Sequence, residues 1–269
     1  MINIGIGVAW KNNNLSSGGI VFDTDYQAVL NRAIALGYNL PSTPQQVLQN
    51  QLVLDLKASG VWSKLDVFYV FANDAENGFN FSYLNWKSPT QFEIQSRTTG
   101  LPVSWSGNSG FTGRPSVNQA YLDTGFKPLS NGSNYTLNNA SRYIYVKTGG
   151  SASALDGTDG TVNNMQFSGS PSQRINSSNP LNQTFSFATG TPTKSIHRTN
   201  STNVELFNGT VQTSRTQTSS TPLHNTNQYI FRNATTYGDS TVSMYAMGAS
   251  LVSENTAFVN AINTYMTGL

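Results

Sequence analysis

The chain has 269 residues, of which only 10% are charged, with a net charge of +2 and no cysteine. Without cysteine there is no disulfide framework, thiolate metal site or cysteine nucleophile. A charge this small, with no basic run, leaves no electrostatic footprint for nucleic acid or anionic lipid, and no apolar run is long enough for membrane insertion. Asn, Ser, Thr and Gly dominate the polar share, which favours strands and turns, while 37% hydrophobic and 11% aromatic residues supply a core.

In chain order, Ile2, Ile4, Ile6 and Val8 alternate with Asn and Gly before Trp10, a strand pattern that its glycines leave too weak to stand alone. These five residues are the candidate partner anchor, acting by strand addition. The opening carries no leading Lys or Arg and no long apolar core, so no signal peptide is expected. After a polar linker over Lys11–Gly19, a first helix is predicted from Thr24, its hydroxyl capping the backbone and Gln27 reaching back. Tyr26, Val29, Leu30, Ala33 and Ile34 form its apolar face, and Gly37 ends it. A second helix starts with Thr43 as cap and Pro44 at the first position, and Gly60 ends it. Leu48, Leu52 and Leu56, with Val47 and Val53, give its stripe. Two such helices cannot bury both stripes on each other, so they must pack on the β body or on a neighbouring chain. Leu48, Leu52, Leu56 and Trp62 are therefore the candidate junction of a homo-oligomer, a dimer or trimer.

From Leu65 the pattern changes to strands and turns. Phe79–Trp86, Gln91–Gln95, Gln119–Asp123, Arg142–Thr148, Thr184–Ala188 and Asn227–Arg232 each have strand composition and length. Asn208-Gly209, between two alternating runs, marks a tight hairpin because both residues tolerate positive φ. Gly149–Gly160 and Ser168–Pro180 read as low-complexity loops. A strand at Val242–Met247 leads to a terminal helix from about Ser253 with Ala257, Phe258, Ala261, Ile262 and Tyr265 on one face. Residues 1–64 are thus expected to form an anchor strand with a helical pair, and residues 65–269 a single β-sandwich.

That order of elements, closing with Met244-Tyr-Ala-Met-Gly-Ala-Ser-Leu251 and a short terminal helix, resembles the laminin-G or concanavalin A-like jelly roll. The run Leu54–Phe71, with Leu84-Asn-Trp-Lys-Ser-Pro89 and Tyr121-Leu-Asp-Thr-Gly-Phe126 downstream, resembles virion proteins of tailed phages that infect Bacteroidetes-type hosts. Gly60-Val-Trp-Ser-Lys64 is its most specific part. The resemblance implies a mainly β jelly-roll sandwich and a virion protein made in the host cytoplasm. It further implies a non-enzymatic structural part, an oligomeric capsid decoration or head fibre ahead of a tail or collar appendage, in contact with other virion proteins. The alternative is a carbohydrate-binding adhesion module that recognises host surface glycan.

The chemistry of named residues narrows this further. Cleaving a glycosidic bond needs two facing carboxylates, and the only close pair that includes a glutamate is Asp74 and Glu76, in an Asn/Asp/Gly turn. Asp156 and Asp159 would offer calcium two oxygens where six or more are wanted, so a polar loop is the expected role and no metal or other cofactor is implied. His197 and His224 stand apart from any triad or zinc pattern and read as solvent-facing strand residues. Trp86, Trp105 and Tyr237, with Asn85, Asn108 and Asn233 nearby, are the candidate glycan contacts, each weighed against the core position that strand aromatics usually take.

Overall fold

Two large antiparallel sheets, a separate two-stranded ribbon and a layer of helices account for the computed structural model, which describes residues 20–77, 79–151, 154–160, 162–167 and 173–269. The anchor expected at Ile2, Ile4, Ile6, Val8 and Trp10 lies outside the described residues. Helices α1 (Thr24–Ala35) and α2 (Thr43–Ala58) come first, followed by β1 (Leu65–Val70) and the single turn α3 (Phe79–Ser82). Then come β2 (Gln95–Arg97), β3 (Ser104–Ser106), β4 (Gly110–Thr112), β5 (Tyr121–Asp123), the single turn α4 (Pro128–Asn131) and β6 (Ala140–Thr148). Next are β7 (Ala154–Gly157), β8 (Asn164–Gln166), β9 (Thr193–Arg198), β10 (Asn203–Asn208) and β11 (Val211–Thr216). The chain closes with β12 (Tyr229–Ile230), β13 (Arg232–Asn233), β14 (Thr236–Tyr237), β15 (Thr241–Gly248) and α5 (Asn255–Thr267).

The larger sheet runs β11-β10-β9-β6-β15-β4-β3, with β1 also on β15, so β1 and β4 lie end to end along one side of that strand. The smaller sheet runs β2-β5-β12-β7-β8. Alternation sorts the side chains. Val67, Tyr69, Ile144, Val146, Ile196, Leu206 and Tyr245 of the larger sheet face Leu122, Leu155, Met165 and Ile230 of the smaller one. Phe68, Val70, Tyr143, Tyr145, Met244 and Ala246 point the other way, into the helix layer. The fold is a mainly β jelly-roll sandwich, as the sequence led us to expect, with α1, α2 and α5 covering the outer face of its larger sheet. Among the described residues no helix is long and apolar enough to cross a membrane.

The two helices form as their stripes predict, with the caps one residue earlier. Asp23 caps α1 by accepting from the Asp25 amide, and Ser42 caps α2 by accepting from Gln45. Ile34 and Val47 stay exposed, because α1 and α2 bury narrower faces than their full apolar stripes. Leu52, Leu56 and Trp62, expected at an oligomer junction, are instead packed in this chain's own helix layer and leave no surface for a second copy. The Trp62 indole donates to Asp25 at 2.9 Å and carries the Lys87 ammonium 4.5 Å from its ring. Leu48 is half-buried between α2 and α5. The boundary expected after residue 64 therefore runs through one continuous apolar layer.

Other expectations need correction. Phe79–Trp86 is a helical turn and a loop, with Asn85 and Trp86 bonded to the backbone of Phe68 so that they finish the open side of β1. Thr184–Ala188 forms no strand. The supposed loop Gly149–Gly160 contains β7, wholly buried. In the hairpin the register pairs Asn208 with Val211, so Gly209 and Thr210 are the turn. Only Gly209 of the pair Asn208-Gly209 takes positive φ, at 60°, while the Asn208 side chain accepts from the Ala188 amide.

Candidate functional site

The structure separates the three aromatic residues proposed for glycan contact. Trp86 is only 1% exposed, packed among Tyr26, Phe68 and Phe81, so it offers no stacking face, and its neighbour Asn85 is equally buried. Tyr237 belongs to a cluster on the outside of the smaller sheet. There the Arg232 guanidinium lies 4.7 Å from the rings of Tyr121 and Tyr229 and 5.9 Å from that of Tyr237. Arg232 pairs with Asp159 at 2.5 Å, and the Tyr229 hydroxyl donates to the same carboxylate at 2.8 Å. Burial, with that carboxylate beside it, raises the Tyr229 phenol above its ordinary value. Asn233 sits largely buried beneath this cluster.

The polar loop expected at Asp156 and Asp159 is corrected at Asp156, which lies in the buried strand β7. Asp159 is neutralised by Arg232, and Asp156 is buried in the sandwich, 2.5 Å from Arg142, with the Tyr245 hydroxyl donating at 2.8 Å. Burial raises the Asp156 carboxyl, opposed by that guanidinium and that hydroxyl. Among the described residues no three His, Asp or Glu side chains are grouped to hold a metal ion. Nor are the histidines solvent-facing on strands: His197 is fully buried in β9 and His224 is half-buried in a loop.

Trp105 lines an open cleft of about 520 Å³. It lies at the end of the sandwich where β3 is the last strand of the larger sheet and β2 the last of the smaller one. Beneath it lies a stacked pair, the half-buried Tyr83 on the buried Phe111, with centroids 5.3 Å apart and planes 5° from parallel. Phe79 meets Tyr83 edge-on at 6.0 Å, and Trp105 stands opposite Phe111 across the β3–β4 pair. The exposed Asn77 supplies a polar side chain, the Ser96 hydroxyl on the inward face of β2 is buried, and Pro102 and Val103 complete the lining. Burial raises the Tyr83 phenol above its ordinary value, partly offset by the neighbouring Ser96 hydroxyl.

One backbone carbonyl holds this arrangement. Phe71 O accepts from the Trp105 indole at 3.0 Å and from the Ser82 hydroxyl at 2.9 Å, which fixes the Trp105 ring and the turn that carries Tyr83. A bulge in β15 at Ser243 helps to set it: Ser243 O accepts from the amides of Phe71 and Ala72, and its hydroxyl donates to Ser109 O. Gln45 of α2 reaches in from the helix layer, donating to Asn108 and accepting from the Asp74 amide. The helices thus brace the cleft across the sheet edge.

Gly110 makes that edge. Its φ is +100°, and an added Cβ would meet Val242 O at 2.1 Å. We expect Gly110→Ala to push β4 off β15, lowering stability by about 2 kcal/mol or more and weakening the near-UV dichroism of the Tyr83–Phe111–Trp105 group. An unchanged denaturation midpoint would show that the hairpin takes up the methyl group without moving.

Of the described side chains lining the cleft none is a carboxylate or any other charged group, so the arrangement suits holding a neutral molecule against aromatic faces. Sequence reasoning found Trp105 and missed its partners. The signal it passed over is the four-residue spacing of Phe79 and Tyr83, which is helical, inside a segment read as a strand.

No family model matches this chain, and no curated protein is similar to it. Solved structures resemble it. Domain 4 of AbnA, a GH43 extracellular arabinanase from Geobacillus stearothermophilus, in complex with arabinotriose, is 12% identical over 73% of this chain and 98% of that one, with a TM-score of 0.46. The binding domain of botulinum neurotoxin DC in complex with rat synaptotagmin II is 8% identical over 72% of this chain and 51% of that one, at 0.45. Trypanosoma rangeli sialidase in complex with sialic acid is 11% identical over 81% of this chain, at 0.45; this chain spans 39% of the sialidase.

Proposed function

We propose that this protein is a non-enzymatic binding module that takes a saccharide into the Trp105 cleft and is carried as an appendage of a tailed-phage virion. The observation that supports saccharide binding is the cleft itself. A fixed indole stands beside the ring of Tyr83 and its stacked partner Phe111 in the cleft lining, with the exposed amide of Asn77 at hand for ring hydroxyls. Sugar rings present an apolar C–H face and a polar edge, and such a lining meets both. The absence of carboxylates among the described lining residues speaks for retention of the bound sugar, since hydrolysis requires a facing acid and base. The virion placement, and homo-oligomeric assembly with other virion proteins, rest on the resemblance of residues 54–71, 84–89 and 121–126 to phage virion proteins.

The test is a titration against host surface glycans. Trp105→Ala is expected to weaken binding tenfold or more with an unchanged far-UV spectrum, a loss of about 1.4 kcal/mol or greater. Trp105→Phe, which keeps an aromatic face and gives up the bond to Phe71 O, should lose less. Full affinity in a folded Trp105→Ala protein would remove the cleft from the function. For the virion placement, mass spectrometry of purified particles should find the chain at a fixed ratio to the major capsid protein, and its absence there would end that part of the reading.

A further inference from the structure

The cleft is generous with apolar surface and sparing with hydrogen bonds. Phe79, Pro102, Val103 and Trp105 present carbon, with Phe111 buried behind them, and the polar side-chain groups are the exposed Asn77 amide and the Tyr83 phenol, the Ser96 hydroxyl being buried. Two of the groups that might have served a ligand are already committed. The Trp105 N–H is spent on Phe71 O, and one face of Tyr83 is covered by Phe111. A fully hydroxylated hexose pushed into this space would bury hydroxyls without partners, which costs more than the contact returns. A methyl group in the same place gains by leaving water. With no charged side chain in the described lining, neither a carboxylate nor an amine on the sugar would find a counter-ion, so charge complementarity selects a neutral ligand.

We infer that the cleft selects a neutral sugar carrying a methyl group, a 6-deoxyhexose or an N-acetylhexosamine, with the methyl against Phe79, Val103 and Trp105 and the remaining hydroxyls turned to Asn77 and water. The inference rests on the saccharide reading above and specifies its ligand class. Phe79 is well placed to act as the methyl's outer wall. It is 41% exposed, held edge-on to Tyr83, and not part of either core cluster.

Matched pairs test it with the full chain. L-Fucose is compared with L-galactose, L-rhamnose with L-mannose, and N-acetylglucosamine with glucose, by calorimetric titration and saturation-transfer NMR. At least one methyl-bearing sugar should bind tenfold or more tightly than its partner, within the range that one apolar group confers in a hydrophobic pocket, and show its strongest saturation at the methyl protons. Which pair discriminates tells the 6-deoxy source from the N-acetyl one. Phe79→Ser should remove the discrimination while the protein stays folded. Equal affinity across every pair, or preference for the hydroxylated members, overturns this inference and leaves saccharide binding standing. Binding of no member, and of no glycan on a host-surface panel, overturns both.

Discussion

Replacing Asp156 with Leu is expected to destabilise the protein by about 3–5 kcal/mol, a large part of the 5–15 kcal/mol typical of a domain. Arg142 lies on β6 of the larger sheet and Asp156 on β7 of the smaller one, so their 2.5 Å contact is a charged tie across the middle of the sandwich, with both side chains fully buried. Arg142 also donates to Arg174 O, and Tyr245 of β15 donates to the second carboxylate oxygen. Removing the carboxylate alone leaves a guanidinium in an apolar interior, which costs far more than the pair contributes as a pair. Arg142→Met should therefore cost a similar amount, and the double variant less than either single one. Denaturant midpoints of the four proteins form a double-mutant cycle. If the two losses simply add, the tie is not the reason for either.

The second large effect is acid sensitivity through His197. Its Nδ1 accepts from the Leu251 amide at 3.2 Å, which leaves the proton on Nε2, 2.9 Å from the Ser195 hydroxyl, and the rings of Tyr143 and Phe207 enclose it. Burial pushes the imidazole down to about 3, against 6.5 for an ordinary histidine. Between those values the unfolded chain binds a proton that the folded chain refuses. The stability this group contributes is thus fully present above about pH 6.5 and is lost as the pH falls toward 3. Each pH unit is worth about 1.4 kcal/mol, so acidification to pH 4.5 should remove about 2–3 kcal/mol on this account alone. His197→Gln abolishes that titration whatever it costs at neutral pH, so the readout is the slope of stability between pH 6.5 and 4.5. The variant should show the shallower slope, and equal slopes would mean that other groups carry the acid response.

How far these features were legible in the sequence depends on whether their causes are local. The helices were, because Pro44, Gly37, Gly60 and the leucine stripe act within a few residues of themselves, and only the capping residues moved by one position. The Asn208-Gly209 signal placed a hairpin correctly while the register shifted the turn by one. Asp156 was hidden because its neighbours, Gly157, Thr158 and Gly160, have loop composition, and what makes it a strand residue is an arginine on another sheet. His197 was hidden for a similar reason: its burial comes from Tyr143, Phe207 and Leu251, none of them near it in sequence except through strand pairing. Trp105 was legible only as one of three candidate glycan contacts, because β2, β3 and β4 have three residues each, too few for periodicity to show that they meet.

The carbonyl of Phe71 divides the cleft into two inheritances. Trp105 and the turn bearing Tyr83 are bound to it, and through Ser243 and Gln45 to the sandwich and the helices, so a change in the floor propagates through the whole scaffold. Asn77, Phe79 and Pro102 belong to no strand and lie at the rim. Substitutions there reshape the mouth of the cleft without touching the hydrogen bonds that support it. On the saccharide-binding reading proposed above, these three positions are the ones expected to differ where the bound sugar differs, with Trp105, Tyr83 and Gly110 kept.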